Sequence, residues 1–149
     1  MPNPRLIALL AVVCALASLS RPAFAADEAV WSGLILATNE DHPTEPPPEI
    51  AKFKTKLENV FGYNQFELIG QHTELMDDPS ERWLIPSKDF SLHVVSKEKG
   101  KSGYTFKLQL FQQKKSLAEF EAKLGLQSPL FIRGPMYGGG QLIIVLLAK

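Results

Sequence analysis

The chain has 149 residues, with 16 basic and 16 acidic side chains, 45% hydrophobic residues and one cysteine. A formally neutral chain offers no electrostatic reason to expect nucleic acid or an anionic membrane surface as a partner. A single cysteine excludes an internal disulfide, and the length suits one domain with enough core to fold without metal or disulfides.

Residues 1–25 read as a secretory signal peptide. Arg5 supplies the basic start, residues 6–19 an apolar core, and Ala23 and Ala25 the small residues of a cleavage site. That core is shorter than the roughly 20 residues needed to span a bilayer. Cleavage after Ala25 is expected, so 149 less 25 leaves 124 residues, 26–149, as a single exported domain, periplasmic or extracellular and not integral to the membrane. Losing Arg5 and Arg21 and no acid leaves 14 basic residues against 16 acidic ones, a net of −2. Cys14 lies within the leader behind Val13, where lipid attachment would want a small residue, so the mature chain is expected to have no cysteine even in a compartment that permits disulfides.

Residues 30–38, VWSGLILAT, are rich in branched and aromatic side chains and predict a first strand, with its apolar run at 34–37 buried on both faces. The following NEDHPTEPPPE is a proline-rich surface connection that cannot continue a ladder. From Glu49, the residues Ile50, Phe53, Leu57, Val60 and Phe61 recur at helical spacing with lysines between them. They predict one amphipathic helix over 49–61, with Pro48 in its first turn, Gly62 just past its end, and a sheet face beneath it.

The period then becomes two. In residues 63–76, Phe66 and Leu68 fall on one face and Glu67, Ile69 and Gln71 on the other. RWLIP is a brief strand ended by Pro86. Phe90, Leu92 and Val94 alternate with Ser91, His93 and Val95, and Tyr104, Phe106, Leu108 and Leu110 alternate with Thr105, Lys107 and Gln109. Polar outer faces of this kind imply antiparallel sheets with one wet face.

Residues 116–124 admit two readings. Ser116 and Glu119 form a capping box and Gly125 could stop a helix, yet Ala118, Phe120, Ala122 and Leu124 alternate as in a strand behind the loop QQKK. The strand is favoured because the segment before it otherwise lacks a local partner. PLFIR and QLIIVLLA complete the fold, joined by GPMYGGG, and the final apolar run reads as a central strand.

Gly100, Lys101 and Ser102 are the last three letters of a phosphate-binding loop. Such a loop needs a first glycine where Val95 stands and a helix where YTFKLQLF alternates as a strand. A hairpin tip, with Gly100 and Gly103 supplying permissive backbone, is the reading that survives. The cluster Gly134 to Gly140 fails the same test, since Gly140 and Gln141 stand for the lysine and hydroxyl residue. Its Met136, Tyr137 and Gly138 are candidates for a contact loop, because glycines let a partner approach the backbone closely.

Lys97, Lys99 and Lys101 are expected at one end of a strand and Lys114 and Lys115 at the other, as solvated tips that discourage edge pairing. Metal or hydrolytic chemistry would have to come from His72 and Glu74, with Asp77 and Asp78 behind them and Asp41 and His42 in a separate loop folding over the strand, although no known ligand spacing is present. No catalytic cysteine and no G-x-S-x-G elbow occurs. Ser91 and His93 read as a solvated pair, and Trp31 and Trp83 as core or interface anchors.

Three stretches, LILATN at 34–39, LENVFGYNQFELIG at 57–70 and GPMYGGGQLIIVLLA at 134–148, together resemble small exported bacterial proteins of unknown function with a signal peptide and one β-rich domain. The resemblance implies a structural core and no functional residue, and it favours the strand at 116–124. The expectation is an α+β domain, mainly antiparallel sheet with about seven or eight strands and one helix on a sheet face. It is expected to be a non-catalytic binding or assembly module, with no cofactor and with a protein or envelope component as partner. The alternative is a small exported hydrolase or metal-dependent enzyme using His72, Glu74 and the neighbouring aspartates Asp77 and Asp78.

Overall fold

The computed structural model describes residues 29–75, 82–84, 87–101, 103–125 and 127–149. The expected signal peptide, Cys14, Asp77, Asp78, Pro86 and Ser102 lie outside the described residues. The strands are β1 (Ala29–Thr38), β2 (Gln65–Leu75), β3 (Arg82–Leu84), β4 (Phe90–Gly100), β5 (Gly103–Gln112), β6 (Lys115–Gly125), β7 (Leu130–Tyr137) and β8 (Gly140–Ala148). Two short helices, α1 (Pro48–Ala51) and α2 (Lys54–Phe61), sit between β1 and β2. No helix among the described residues is long and apolar enough to cross a membrane.

All paired strands are antiparallel and form two four-stranded sheets, β2-β1-β8-β7 and β3-β4-β5-β6. Every pair joins neighbours in sequence except β1 with β8. The topology is that of an up-and-down meander folded into two layers, with the β2–β3 and β6–β7 connections passing between sheets.

Alternation explains the layer between the sheets. Phe90, Leu92 and Val94 of β4, Tyr104, Phe106, Leu108 and Leu110 of β5, and Ala122 and Leu124 of β6 meet Val30, Leu34, Leu142, Ile144 and Leu146 from the other sheet. The outer face of the β3–β6 sheet carries exposed Lys107, Glu119, Glu121 and Lys123. The β2–β7 sheet is different: β1 and β8 are buried on both sides, because the helical segment covers the second face. That is why these two strands read as continuous apolar runs. β6 spans the ambiguous segment and pairs with β5 from Lys115 to Gly125, so the strand reading holds.

Four expectations need correction. The helix over 49–61 is divided, with Lys52 and Phe53 in turn conformation between α1 and α2. Ile50, Phe53 and Leu57 are buried against Trp31, Ile35, Ile143 and Val145, whereas Val60 is 56% exposed. Val60 is one residue out of phase with Leu57 and Phe61, which are four apart and share a face. Gly62 does end α2 in the left-handed region, at φ 76°, returning its N–H to the Glu58 carbonyl at 2.9 Å.

Strict alternation along β2 also fails. The register slips between Leu34 and Ile35, which face Gly70 and Leu68, leaving Ile69 as an extra residue. A bulge of this kind reverses the facing of the residues beyond it. Gln71 therefore shares the helix side with Phe66 and Leu68, and the Trp31 indole Nε1 donates to its Oε1 at 3.1 Å. The QQKK loop shrinks to a two-residue turn, since Gln112 and Lys115 already pair. Finally, Met136 and Tyr137 belong to the end of β7, paired with Gln141 and Gly140, so the turn itself is Gly138 and Gly139. Both glycines have positive φ, 57° and 79°, as a two-residue turn matched to strand twist requires.

Candidate functional site

The β7–β8 hairpin reaches the end of the sandwich where β1 stops at Thr38, since Ala37 pairs with Gln141. The proline-rich connection after β1 is tied down there. Asn64 Nδ2 donates to the Glu40 carbonyl at 2.9 Å, and the Glu40 N–H donates to Asn64 Oδ1 at 2.8 Å. The Thr44 N–H donates to Gln65 Oε1 at 2.7 Å. Lys54 reaches Glu45 at 2.7 Å, and this hydrogen bond holds its ammonium above the ordinary lysine value. These short polar contacts turn a loop without regular structure into a defined edge of the molecule.

Gln141 anchors the hairpin from inside. Its side chain is buried, and Nε2 donates to the Gly134 carbonyl and, at 3.0 Å, to the Leu142 carbonyl. Its Oε1 accepts from Arg133 at 3.4 Å. Gly134 and Pro135 interrupt the β7–β8 ladder, where the register slips between Arg133 and Met136. The amide thus meets a carbonyl that the interrupted ladder would leave unpaired, which in a buried position is costly. The sequence signal was a polar residue opening an apolar run. Above this anchor Tyr137 packs edge-on against Phe90 from the other sheet, with centroids 5.2 Å apart, while Met136 stands 64% exposed.

Beside the hairpin, Leu36, Thr38, Glu40, Asp41, His42, Thr44, Gln65 and Glu67 line an open groove of about 590 Å³. Asp41 and His42 are thus in this groove. His72 and Glu74 are elsewhere, joined to each other at 3.0 Å across one face of β2. His72 faces Ser32, six residues from Thr38 along β1, which is about 20 Å at about 3.3 Å per residue. The loop does not fold over His72. Among the described residues, no three His, Cys, Asp or Glu side chains are grouped to hold a metal ion.

Of the remaining candidates, Trp31 is buried in the core, consistent with an anchor, and Ser91 and His93 are half-buried on β4. Trp83 lies in β3, opposite His93. Gly100 pairs with Gly103 across the β4–β5 hairpin, and a strand follows where a phosphate loop would need a helix. Lys101 is exposed in that turn, at the opposite end of β5 from Lys114 and Lys115. Lys101→Ala is expected to change stability by no more than about 0.5 kcal/mol. Urea unfolding would check this, and a large drop in the midpoint would show the turn to depend on the lysine.

The fold and site define a class: a two-sheet antiparallel β-sandwich with a helical cover and an apolar hairpin at one end. Comparison with protein-family models, curated proteins and solved structures returned no match to this chain.

Proposed function

We propose that this chain is an exported, non-catalytic binding or assembly module of the periplasm or cell envelope, and that the end of the β7–β8 hairpin is its contact surface. One observation carries the reading. Among the described residues the exposed large hydrophobic side chains are Val60, Met136 and Tyr137, and two of the three stand at this hairpin. Large apolar side chains held out on a rigid anchor favour contact with a partner, which would remove them from water. In the same reading, residues 48–61 act as one amphipathic cover. Their apolar side is spent on the sheet, which leaves the hairpin free to serve as the contact.

The form of the hydrolytic alternative that draws on Asp41 and His42 is disfavoured by distance, since these lie in the groove and His72 and Glu74 far along β2. A photo-crosslinking residue placed at Met136 tests the proposal, with Lys107 on the solvated sheet face as control. In the native envelope fraction, position 136 is expected to give discrete adducts with an envelope component and position 107 none. Equal labelling at the two positions, or none at 136, would reject the hairpin as the contact.

A further inference from the structure

Folding brings together a group of side chains that are dispersed in sequence. On the helix-covered side, Phe131 of β7 lies edge-on to Phe53, with centroids 5.6 Å apart, and to Phe61, at 6.5 Å. A cation rests on each ring: Lys52 Nζ is 4.9 Å from the Phe53 centroid, Lys56 Nζ 5.2 Å from that of Phe131, and Arg133 Cζ 5.0 Å from that of Phe61. All three cations are exposed.

Of the acids of the same segment, one is held in an ion pair. Glu45 pairs with Lys54, Glu49 accepts from Gln71 at 3.4 Å, and Glu58 acts on Lys54. Lys52, Lys56 and Arg133 form no ion pair among the described residues. Lys56 and Val60 lie four residues apart in α2 and so share its outward face, which ends in the exposed Val60. The acids Glu40, Asp41 and Glu67 line the groove with Leu36, which packs into the layer on the opposite side of the β2–β7 sheet.

We propose that this face docks on a bilayer containing anionic phospholipid. Three exposed cations outside any ion pair among the described residues favour negative charge in the partner, and their alkyl stems along aromatic rings suit a boundary between polar and apolar phases. An apolar side chain beside them matches the headgroup level, where a peripheral surface buries apolar groups and pairs its cations with lipid phosphates. Free phosphate instead selects a concave nest of backbone N–H groups. On this face Lys52, Lys54, Lys56 and Arg133 stand against Glu45, Glu49 and Glu58, a net of +1 that the formal neutrality of the whole chain conceals.

Vesicle co-sedimentation of the protein as isolated from its own cells tests the proposal. Binding to mixed phosphatidylglycerol and phosphatidylcholine is expected, and little to phosphatidylcholine alone. Each cation near an anionic leaflet is worth about fivefold in partitioning, so K52Q/K56Q/R133Q should lose about a hundredfold. Raising salt from about 0.1 M to about 1 M, which shortens screening from about 10 Å to about 3 Å, should release the parent protein. The double variant K52R/K56R, which keeps the charge, should bind as the parent does, and circular dichroism would report any loss of fold in the glutamine variant.

Equal binding to neutral vesicles would overturn the proposal, as would full binding by a folded glutamine variant. Displacement by millimolar inorganic phosphate would assign the site to a free anion, and binding to polyglutamate without binding to vesicles would assign it to an acidic protein; either result rejects the bilayer. Crosslinking from position 136 is a separate readout, so this face and the hairpin can fail independently.

Discussion

Gly103→Ala is expected to cost about 3 kcal/mol or more, of which a backbone held in a sparsely populated region accounts for about 1–3 kcal/mol. Gly103 opens β5 at φ 147°, a conformation that side-chain-bearing residues rarely adopt. A Cβ there would lie 2.1 Å from the Leu124 carbonyl oxygen and 3.0 Å from the Gly125 Cα. Both obstacles are backbone of the neighbouring strand, so no side-chain rotation can relieve them. Gly103 faces Gly100 on one side and Gly125 on the other, and the strain would therefore fall on the β4–β5 and β5–β6 ladders together. Urea unfolding of parent and variant would measure the effect, with the midpoint shifting at unchanged slope if both remain two-state. An unchanged midpoint would mean that the turn has an alternative geometry open to alanine. Gly103 would then lack the architectural role assigned to it.

Phe106→Ala should be comparably damaging for a different reason. Phe106 is 1% exposed in the layer between the sheets, stacked at 5.7 Å and 14° on Tyr104 and paired with Ala122 of β6. Its alanine neighbour cannot expand into the space, so the truncation combines lost burial with a cavity and is expected to cost about 3–5 kcal/mol. Against a total of about 5–15 kcal/mol, that brings the domain near its threshold. Lys107, the next residue, points out from the same strand, and Lys107→Ala is expected to cost no more than about 0.5 kcal/mol. Guanidinium unfolding of the pair would check both values. Similar losses at 106 and 107 would contradict the assignment of inner and outer faces to β5.

Local pattern carried much of this fold. Tyr104 to Leu110 alternate, as do Phe90 to Val94, and a strand with one buried face must alternate because successive side chains point to opposite sides. The unbroken apolar runs of β1 and β8 marked strands covered twice. Even the capping box at Ser116 and Glu119 yielded to alternation, since Phe120, Ala122 and Leu124 of β6 face Leu108, Phe106 and Tyr104 of β5. At the hairpin, Met136 and Tyr137 were legible as contact candidates, but their place in a strand was not. Glycines at 138 and 139 are enough to turn the chain, and the pairing of Met136 with Gln141 depends on a ladder that composition does not reveal.

By itself, then, the sequence determined the strand-rich character, the neighbourhoods of the turns and the buried faces of the regularly alternating strands, because these arise from interactions within a few residues. Tertiary structure alone decided the rest. Ile69 becomes a bulge only when β2 meets β1, and that one extra residue carries Gln71 to the Trp31 side. Gln141 becomes an anchor only when Gly134 lies beside it. Lys56 and Phe131 meet because β7 returns to the sheet that Leu57 covers, far along the chain. Contacts of that range leave no periodic trace in either segment, since each residue's own neighbours are satisfied whether or not the distant partner arrives.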